Sequence, residues 1–212
     1  MEARAYRQTR RAEATERTRA AILDAAQALF RADPRLDPSL EAIAARSGVS
    51  TRTVIRQFGS KEALLEAAIA AGVEAAAATR RAEPGDVEGA VVAIVADYET
   101  VGDEVMRWLA LAERLPLVRQ VTERGAAAHL EWVEEVFAPD LAGLPRGERR
   151  ARRAAIATVT DVYVWHLLRR REGLGRAATR AAILGLVEAA RRGGASGGGG
   201  AAHSPRSAAE GR

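Results

Sequence analysis

Residues 50–57, STRTVIRQ, carry the densest group of side chains suited to binding a polyanion. Serine and threonine hydroxyls, guanidinium groups and a glutamine amide donate hydrogen bonds, and such groups contact phosphates and base edges in the major groove of DNA. With a capping serine upstream and a lysine downstream, the candidate DNA-contacting residues are Ser39, Ser50, Thr51, Arg52, Thr53, Arg56, Gln57 and Lys61.

Two short predicted helices joined by a tight turn, within residues 39–58, would position these side chains. In the first helix Leu40, Ile43 and Ala44 recur at helical spacing, which gives the helix one apolar face. Ser39 is suited to cap its N-terminus. Gly48 ends it, because a residue without a Cβ enters the left-handed C-terminal conformation at little cost.

The second helix has Ser50 as a candidate N-cap and Val54 and Phe58 as its apolar stripe. This arrangement predicts a helix-turn-helix motif whose second helix enters a major groove. An ordinary helical hairpin with a solvated polar face fits the same residues, and the motif alone favours neither interpretation.

The residues on both sides of the motif favour the first interpretation, because here the chain resembles the TetR family of bacterial transcriptional regulators. The family pattern has an ILDAA-like first helix ending in Leu-Phe, an IA..AGVS helix and turn, and a short recognition helix followed by SKE.LL. The matching residues here are Ile22, Leu23, Asp24, Ala25, Ala26, Leu29, Phe30, Ile43, Ala44, Ser47, Gly48, Val49, Ser50, Thr53, Phe58, Ser60, Lys61, Glu62, Ala63, Leu64 and Leu65.

The predicted recognition helix departs from the family pattern at two positions. Arg52 stands where the family usually has glycine, and Ile55 stands where it most often has a tyrosine that touches a DNA phosphate. The resemblance therefore implies that this phosphate contact is missing here, with Arg52 as a charged replacement.

The composition predicts an all-α chain in which a small DNA-binding module is fused to a helical body. The 212 residues exceed what a three-helix module needs, Ala, Leu, Arg and Glu dominate, and few segments alternate as strands do. The absence of cysteine excludes disulfides and thiolate metal sites. Because no apolar run is long enough to cross a membrane and the N-terminus is charged throughout, we expect a cytoplasmic protein.

The basic surplus lies entirely with the helix-turn-helix end. Residues 1–61 contain 12 Arg and Lys against 7 Asp and Glu, whereas residues 62–212 contain 20 against 21. A basic end on a nearly neutral body is typical of nucleic-acid-binding proteins. The Arg-rich residues 1–16 are predicted to form a flexible arm that either lies in a minor groove or only solubilises the chain.

Prolines, glycines and polar turns divide the chain into predicted helices. The expected helices span about residues 18–31, 39–46, 51–57, 60–80, 87–101, 103–115, 117–138, 148–172 and 177–192. That is nine helices, the number that the resemblance also implies. The expected domains are a flexible arm at 1–16, a helix-turn-helix domain at 17–61, a helical-bundle domain for ligand binding and dimerisation at 62–192, and a disordered glycine-rich tail at 193–212.

The predicted helix at 148–172 carries apolar residues on two faces, which indicates burial on two sides, and the helix at 177–192 has one apolar stripe beside Gly185. One side can face the chain's own core and the other a second copy of the chain; a helix buried inside one core is the alternative. The resemblance implies that these helices pair across a two-fold axis. The expected dimer-interface residues are Ile156, Val159, Tyr163, Leu167, Ile183, Leu186 and Val187.

The body also has a few bulky or polar-tipped residues that could line an effector site, and the resemblance implies an effector among the central helices. Large apolar residues with a few polar tips suit a small hydrophobic ligand, although aromatic residues at helical spacing are more often core residues. The candidates are Met106, Trp108, His129, Trp132, Tyr163 and His166.

We predict no catalytic residues, no metal site and no cofactor. His129 has glutamates nearby but no histidine four residues away, as a helical zinc site would need. No Ser–His–Asp arrangement or phosphate-binding glycine loop is recognisable. The sequence therefore predicts a homodimeric, ligand-responsive repressor that binds a palindromic site in double-stranded DNA. The alternatives are a DNA-binding regulator without an effector and an all-α enzyme.

Overall fold

The computed structural model of the chain describes residues 2–32 and 37–192, and these residues form helices and no strand. This confirms the predicted all-α fold class. The helices are α1 (Glu2–Ala32), α2 (Leu40–Ser47), α3 (Thr51–Phe58), α4 (Lys61–Thr79), α5 (Val87–Leu111), α6 (Pro116–Val136), the single turn α7 (Ala138–Leu141), α8 (Arg146–Val159), α9 (Val162–His166) with a π-helical continuation (Leu167–Arg171), and α10 (Arg176–Arg192). Without α7 the described residues form nine helices, and the predicted tail at 193–212 lies outside them.

The first helix is longer than predicted. It begins at Glu2 rather than near residue 18, so residues 2–16, predicted as a flexible arm, are its first half. Residues 2–32 contain no glycine and no proline and are rich in Ala, Arg, Glu and Gln, so no residue in the segment ends the helix early. The segment was predicted to be flexible because it is polar and rich in arginine, but arginine also has a high helix propensity.

The first hydrophobic core lies among α1, α2, α3 and α4. Its fully buried members include Ile22 of α1, Ile43 of α2, Val54 of α3 and Leu64 of α4. The sequence places each of them on the apolar stripe of its helix, and burying such stripes together fixes the helices against one another.

A second, larger core lies in the body, among α5, α6, α8, α9 and α10. Its centre is formed by Ile94, Phe137, Ile156, Trp165 and Ile183, all nearly inaccessible to solvent. The two cores meet at a smaller cluster, hereafter the seam, which consists of Phe30, Ile69, Val118 and Val121 with Trp108 packed against it.

Helix α5 continues through Gly102, where a break was predicted, so the predicted helices 87–101 and 103–115 are one helix. Glycine often ends helices, but here it permits a close approach to another helix. A Cβ on Gly102 would lie less than 3.0 Å from three ring carbons of Trp165 in α9. The glycine is therefore a packing requirement set by a residue far away in the sequence.

The single helix predicted for residues 148–172 is broken at Thr160 and Asp161. The Thr160 hydroxyl donates to the carbonyl of Ile156 at 2.8 Å, and the Asp161 carboxylate accepts the backbone N–H of Tyr163 at 2.9 Å, capping α9. Short polar side chains that bond to the local backbone compete with helical hydrogen bonds. The prediction missed this break because apolar residues recur at helical spacing on both sides of it.

Ion pairs fasten the segment after the break to α5. The Glu99 carboxylate accepts hydrogen bonds from Arg169 Nε at 2.6 Å and from Trp165 Nε1 at 2.9 Å. The hydrogen bond from Arg169, more than any other contact, lowers the pKa of Glu99 to about 2. Arg170 forms an ion pair with Asp103, one turn further along α5. Helix α5 is therefore joined at two successive turns to α9 and its π-helical continuation.

We predict that Gly102→Ala lowers the free energy of unfolding by roughly 1–3 kcal/mol, because the new methyl group overlaps the buried ring of Trp165. Gly125→Ala in α6 is the matched control. A Cβ there meets nothing within 4 Å, so the better helix propensity of alanine should stabilise by roughly 0.5–1 kcal/mol. Urea denaturation followed by circular dichroism checks both values, and equal effects of the two substitutions would contradict the packing role of Gly102.

Candidate DNA interface and effector cavity

Local hydrogen bonds stabilise the short helix α3 at its N-terminus. The Ser50 hydroxyl oxygen accepts the backbone N–H of Thr53 at 3.2 Å, the N-cap that the sequence predicted. It also lies 3.0 Å from the Thr53 hydroxyl. Val54 of α3 is fully buried in the first core, so the opposite side of α3 faces away from that core.

The preceding turn also has the predicted geometry. The Ser39 hydroxyl oxygen accepts the N–H of Ala42 at 3.1 Å at the start of α2. Gly48 ends α2 with φ of +71°, and this left-handed conformation lets the chain turn directly into α3. Both signals act within a few residues, which is why sequence alone could place them.

The outward side of α3 is basic and polar. Arg52 and Arg56 are exposed, and Thr51, Thr53 and Gln57 are half-buried around them. Exposed guanidinium groups beside hydroxyl and amide groups can bind both phosphates and base edges. Ile55 is also exposed on this helix, at 37%, and adds an apolar contact that the candidate set did not include.

Two cations near α3 have partners within the chain. Lys61, at the start of α4, donates to the Asp37 carboxylate at 2.6 Å. Arg19 of α1 lies over the Phe58 ring at 4.4 Å from its centroid. The ion pair means that a phosphate would have to compete with Asp37 for Lys61. The Arg19 contact joins α1 to α3 across a sequence distance that no local signal spans.

A cavity of about 330 Å³ lies between helices α1 and α4 and the body. It is bounded by α1, α4, α5 and α6 and by the start of α9. Most of its lining is apolar, as small hydrophobic ligands require. Its larger lining side chains are Gln27, Phe30, Arg31, Leu65, Ile69, Val73, Arg80, Tyr98, Glu104, Trp108, Leu109, His129, Trp132 and Tyr163.

Four of the six predicted ligand-site residues line this cavity, namely Trp108, His129, Trp132 and Tyr163. The other two predicted residues do not line it. Met106 packs against the body core, and His166 is not part of the cavity lining. Successive residues of a helix point in different directions. On α5 the side chain of Trp108 faces the cavity, whereas that of Met106 faces the body core.

The space itself arises from small residues on α4. Ala68, Gly72 and Ala76 recur every four residues and so lie on one face of the helix, and all three line the cavity. On the α1 side of α4, Gln27 donates to the carbonyl of Ala68 at 2.8 Å. The prediction considered only bulky residues and missed this signal, which was readable in the sequence.

The polar groups of the cavity are mostly paired. Arg80 pairs with Asp97 at 2.6 Å, and its carbonyl accepts the indole N–H of Trp132 at 2.7 Å. His129 Nε2 lies 3.1 Å from the carbonyl oxygen of Ala157 and must donate to it, since a carbonyl only accepts. Burial lowers the pKa of His129, which favours the neutral ring.

The predicted dimer-interface residues fall into two groups. Ile156, Ile183 and Val187 are buried in the body's own core and do not lie on the outer surface of this chain. Tyr163, Leu167 and Leu186 are exposed at 51%, 45% and 42%, and Val159 is half-buried. The helix break at Thr160–Asp161 separates buried Ile156 from exposed Tyr163 and Leu167. On α10 the helical period alone turns Leu186 away from the core that Ile183 and Val187 face.

The described residues bring no three His, Asp or Glu side chains close enough together to hold a metal ion. None of their helices combines the length and apolarity that a membrane span requires.

Comparisons with known proteins agree with this geometry. Residues 22–68 match the family model "Bacterial regulatory proteins, tetR family". The fold resembles the crystal structure of a protein from Mesorhizobium loti MAFF303099 described as a TetR-family transcriptional regulator. The TM-score is 0.54 and the sequence identity 18%, with 83% of this chain and 96% of that chain covered. No curated protein matches the sequence.

We predict that Ser50→Ala lowers the free energy of unfolding by about 1 kcal/mol, because α3 loses the cap on the Thr53 N–H. Ser50→Asp is the matched control and should leave stability nearly unchanged, since aspartate caps helices as well as serine does. Thermal unfolding of the two variants beside the unsubstituted protein checks this. Equal losses would show that the cap contributes nothing and that the substituted position itself is sensitive.

Proposed function

We propose that this chain, which carries the N-terminal domain of the TetR family of bacterial regulatory proteins, is a homodimeric repressor that leaves its DNA site when a small apolar effector enters the cavity. The observation that carries the proposal is the outward face of α3, where Arg52, Arg56 and Gln57 stand on a helix anchored from behind by buried Val54. Such a regulator would act in the cytoplasm, on chromosomal DNA.

In this proposal the helix-turn-helix domain, residues 17–61, places α3 in a major groove. Gln57 and Thr53 read base edges, since the glutamine amide can form a paired hydrogen bond with adenine. Arg52, Arg56 and Lys61 contact phosphates, with Ser39, Ser50 and Thr51 at the margins, and these contacts fix the register without reading sequence. Lys61 would exchange Asp37 for a phosphate on binding.

The exposed apolar residues of the last helices support a homodimer. Tyr163, Leu167 and Leu186 lie on α9, its π-helical continuation and α10, which contact one another. Gly185 beside them has nothing within 4 Å of a Cβ position, so a second backbone can approach. Exposed apolar clusters mark interaction sites, and a two-fold pairing would cover this one in both copies.

A two-fold dimer would present two copies of α3 to a palindromic site. Half-sites one helical turn of DNA apart lie roughly 34–36 Å from centre to centre, and the two recognition helices must match that spacing. An effector that moves α4 in each copy would change the spacing and so lower the population of the DNA-competent state.

The cavity supports release by an effector because its walls belong to both ends of the molecule. Phe30 of α1 and Ile69 of α4 meet Trp108 of α5 at the seam, with the Phe30 and Trp108 rings 5.6 Å apart edge to face. The same residues line the cavity. A ligand there would touch the DNA-facing helices and the body at once.

We predict that Arg56→Ala weakens binding to all DNA sequences alike and makes the fall of log K with log salt shallower by about one unit, because one phosphate contact is lost. Gln57→Ala should instead change the preference at one base pair in each half-site, at a cost of about 1–3 kcal/mol. Fluorescence titrations at several salt concentrations, with a duplex selected from a random library and single-base variants of it, measure both.

Arg114→Ala is the control for this pair, because Arg114 is exposed in the body, far in sequence from α3. It should leave both the affinity and the salt slope unchanged. If Arg56→Ala and Gln57→Ala alter sequence preference in the same way, the division between phosphate and base contacts is wrong.

We predict that Leu186→Glu converts the dimer to monomers, because a carboxylate would be buried at the interface without a partner. The monomer should also bind the palindromic duplex more weakly, although α3 is unchanged, since one half-site supplies only part of the binding energy. Leu130→Glu is the matched control: Leu130 is exposed on α6 at 37%, outside the proposed interface. Sedimentation velocity at micromolar concentration checks both, and a monomeric unsubstituted protein would contradict the proposal.

A further inference from the structure

One carboxylate in the cavity wall is poorly neutralised. Glu104 of α5 lines the cavity, and its Oε1 is buried with no hydrogen-bond partner among the described residues. Arg31 Nε of α1 lies 3.4 Å from that oxygen, which is an ion-pair distance without hydrogen-bond geometry. Burial raises the pKa of Glu104, while Arg31 and Arg107 act in the opposite direction, so the arginines do not offset its desolvation.

The other charged groups of the cavity wall already have partners. Arg80 is held by Asp97 through two short contacts, at 2.6 and 2.8 Å. Asp161 accepts the N–H of Tyr163 at 2.9 Å as the cap of α9. His129 donates through Nε2 to the Ala157 carbonyl, and burial lowers its pKa. Glu104 is therefore the charged group of the wall best placed to accept a hydrogen bond from a ligand.

The partner of Glu104 comes from the DNA-facing end of the molecule. Arg31 lies in the last turn of α1, and its side chain is half-exposed, at 50%, whereas that of Glu104 is exposed only to 15%. Because water screens its half-solvated member, such an ion pair contributes little to stability. A second cation inside the cavity would meet the same carboxylate with less water around it.

We propose that the cavity takes an apolar molecule bearing a protonated amine, that Glu104 accepts the amine's hydrogen bonds, and that Arg31 is thereby released from α5. This inference rests on the proposed function, since it names the effector class and the contact through which the effector acts. The apolar wall would hold the carbon skeleton, and the ammonium group would replace the half-exposed guanidinium beside Glu104.

The energetic direction follows from the two geometries. A charge-assisted N–H···O hydrogen bond is short and roughly twice as strong as a neutral one, whereas the Arg31–Glu104 pair is long and partly screened. Losing Arg31 removes an ionic tie between α1 and α5. Helix α1 also carries Arg19, which stacks on Phe58 of α3. A displaced α1 would therefore change the position of α3, the proposed recognition helix.

The experiment compares three probes that share one skeleton: phenylbutylamine, phenylbutanol and phenylbutyrate. Binding to the full chain is measured by quenching of tryptophan fluorescence, because Trp108 and Trp132 line the cavity, and by calorimetry. We expect the amine to bind about tenfold more tightly than the alcohol and the carboxylate to bind more weakly than either. In the same samples, release of a labelled duplex selected from a random library reports on DNA binding.

Two substitutions test the assignment of Glu104. Glu104→Gln should reduce the preference for amine over alcohol to less than about twofold, while Glu123→Gln, the same charge change at an exposed site on α6, should leave it intact. Arg31→Met should tighten amine binding by about two- to fivefold, since the competing cation is gone, and leave alcohol binding unchanged. Because Arg31 is half-exposed, this variant carries the test even where Glu104→Gln fails to fold.

The inference is overturned if the alcohol binds as tightly as the amine, if Glu104→Gln keeps the preference, or if none of the three probes binds. A different result would contradict the proposed function. A chain that selects no duplex from the library is not a DNA-binding regulator, whatever the ligands do. A chain that the alcohol releases from DNA as well as the amine does is an effector-responsive regulator in which Glu104 plays no part.

Discussion

Helix α4 contributes residues both to the first core and to the seam that joins this core to the body, and the rest of the structure depends on this sharing. Leu64 and Ala68 complete the first core, whereas Ile69 lies in the seam. The same stretch of helix also forms a wall of the cavity. Helix α4 runs without a break from its N-cap Ser60, two residues after the end of α3, to the cavity wall, so one continuous helix connects α3 to the cavity.

The sequence predicted those parts of the fold whose causes are local. The caps Ser39 and Ser50, the end of α2 at Gly48, and the apolar stripes of α2 and α3 all act within a turn or two, and the structure has each of them. The failures in the body have causes at a distance. Helix α5 passes through Gly102, and the absence of a side chain there leaves room for the Trp165 ring. A pattern of neighbouring residues cannot predict a contact with a residue so far along the chain.

The candidate sites also divide into features with local causes, which the sequence predicted, and features with distant causes, which it did not. The polar face of α3 could be predicted because its anchor, Val54, lies on the same helix and fixes which side faces outward. The cavity could be predicted only in part, since a cavity is defined by missing side chains as much as by those present. Trp108 and Trp132 were recognisable as bulky wall residues, but the space between them depends on Gly72 and its alanine neighbours on α4. The dimer-interface residues divided for a related reason: a polar break after Ile156 rotated Tyr163 and Leu167 outward.

The ion pairs of the molecule differ in strength according to where they lie, and this difference sets which part can move. Within the body, Glu99 is bound by Arg169 through short hydrogen bonds that lower its pKa to about 2. At the C-terminal end of α4, Arg80 holds Asp97 of α5, with both side chains largely buried. Across the seam, the pair between Arg31 and Glu104 is longer and half-exposed. A bound molecule can shift an equilibrium only by its difference in affinity for the two states. A ligand contributing a few kcal/mol at the cavity wall would therefore displace α1 relative to α5 before it disturbed the packing of α5 against α9. In the proposed mechanism the body would then act as a fixed frame, and α1 would be the helix that responds to the effector.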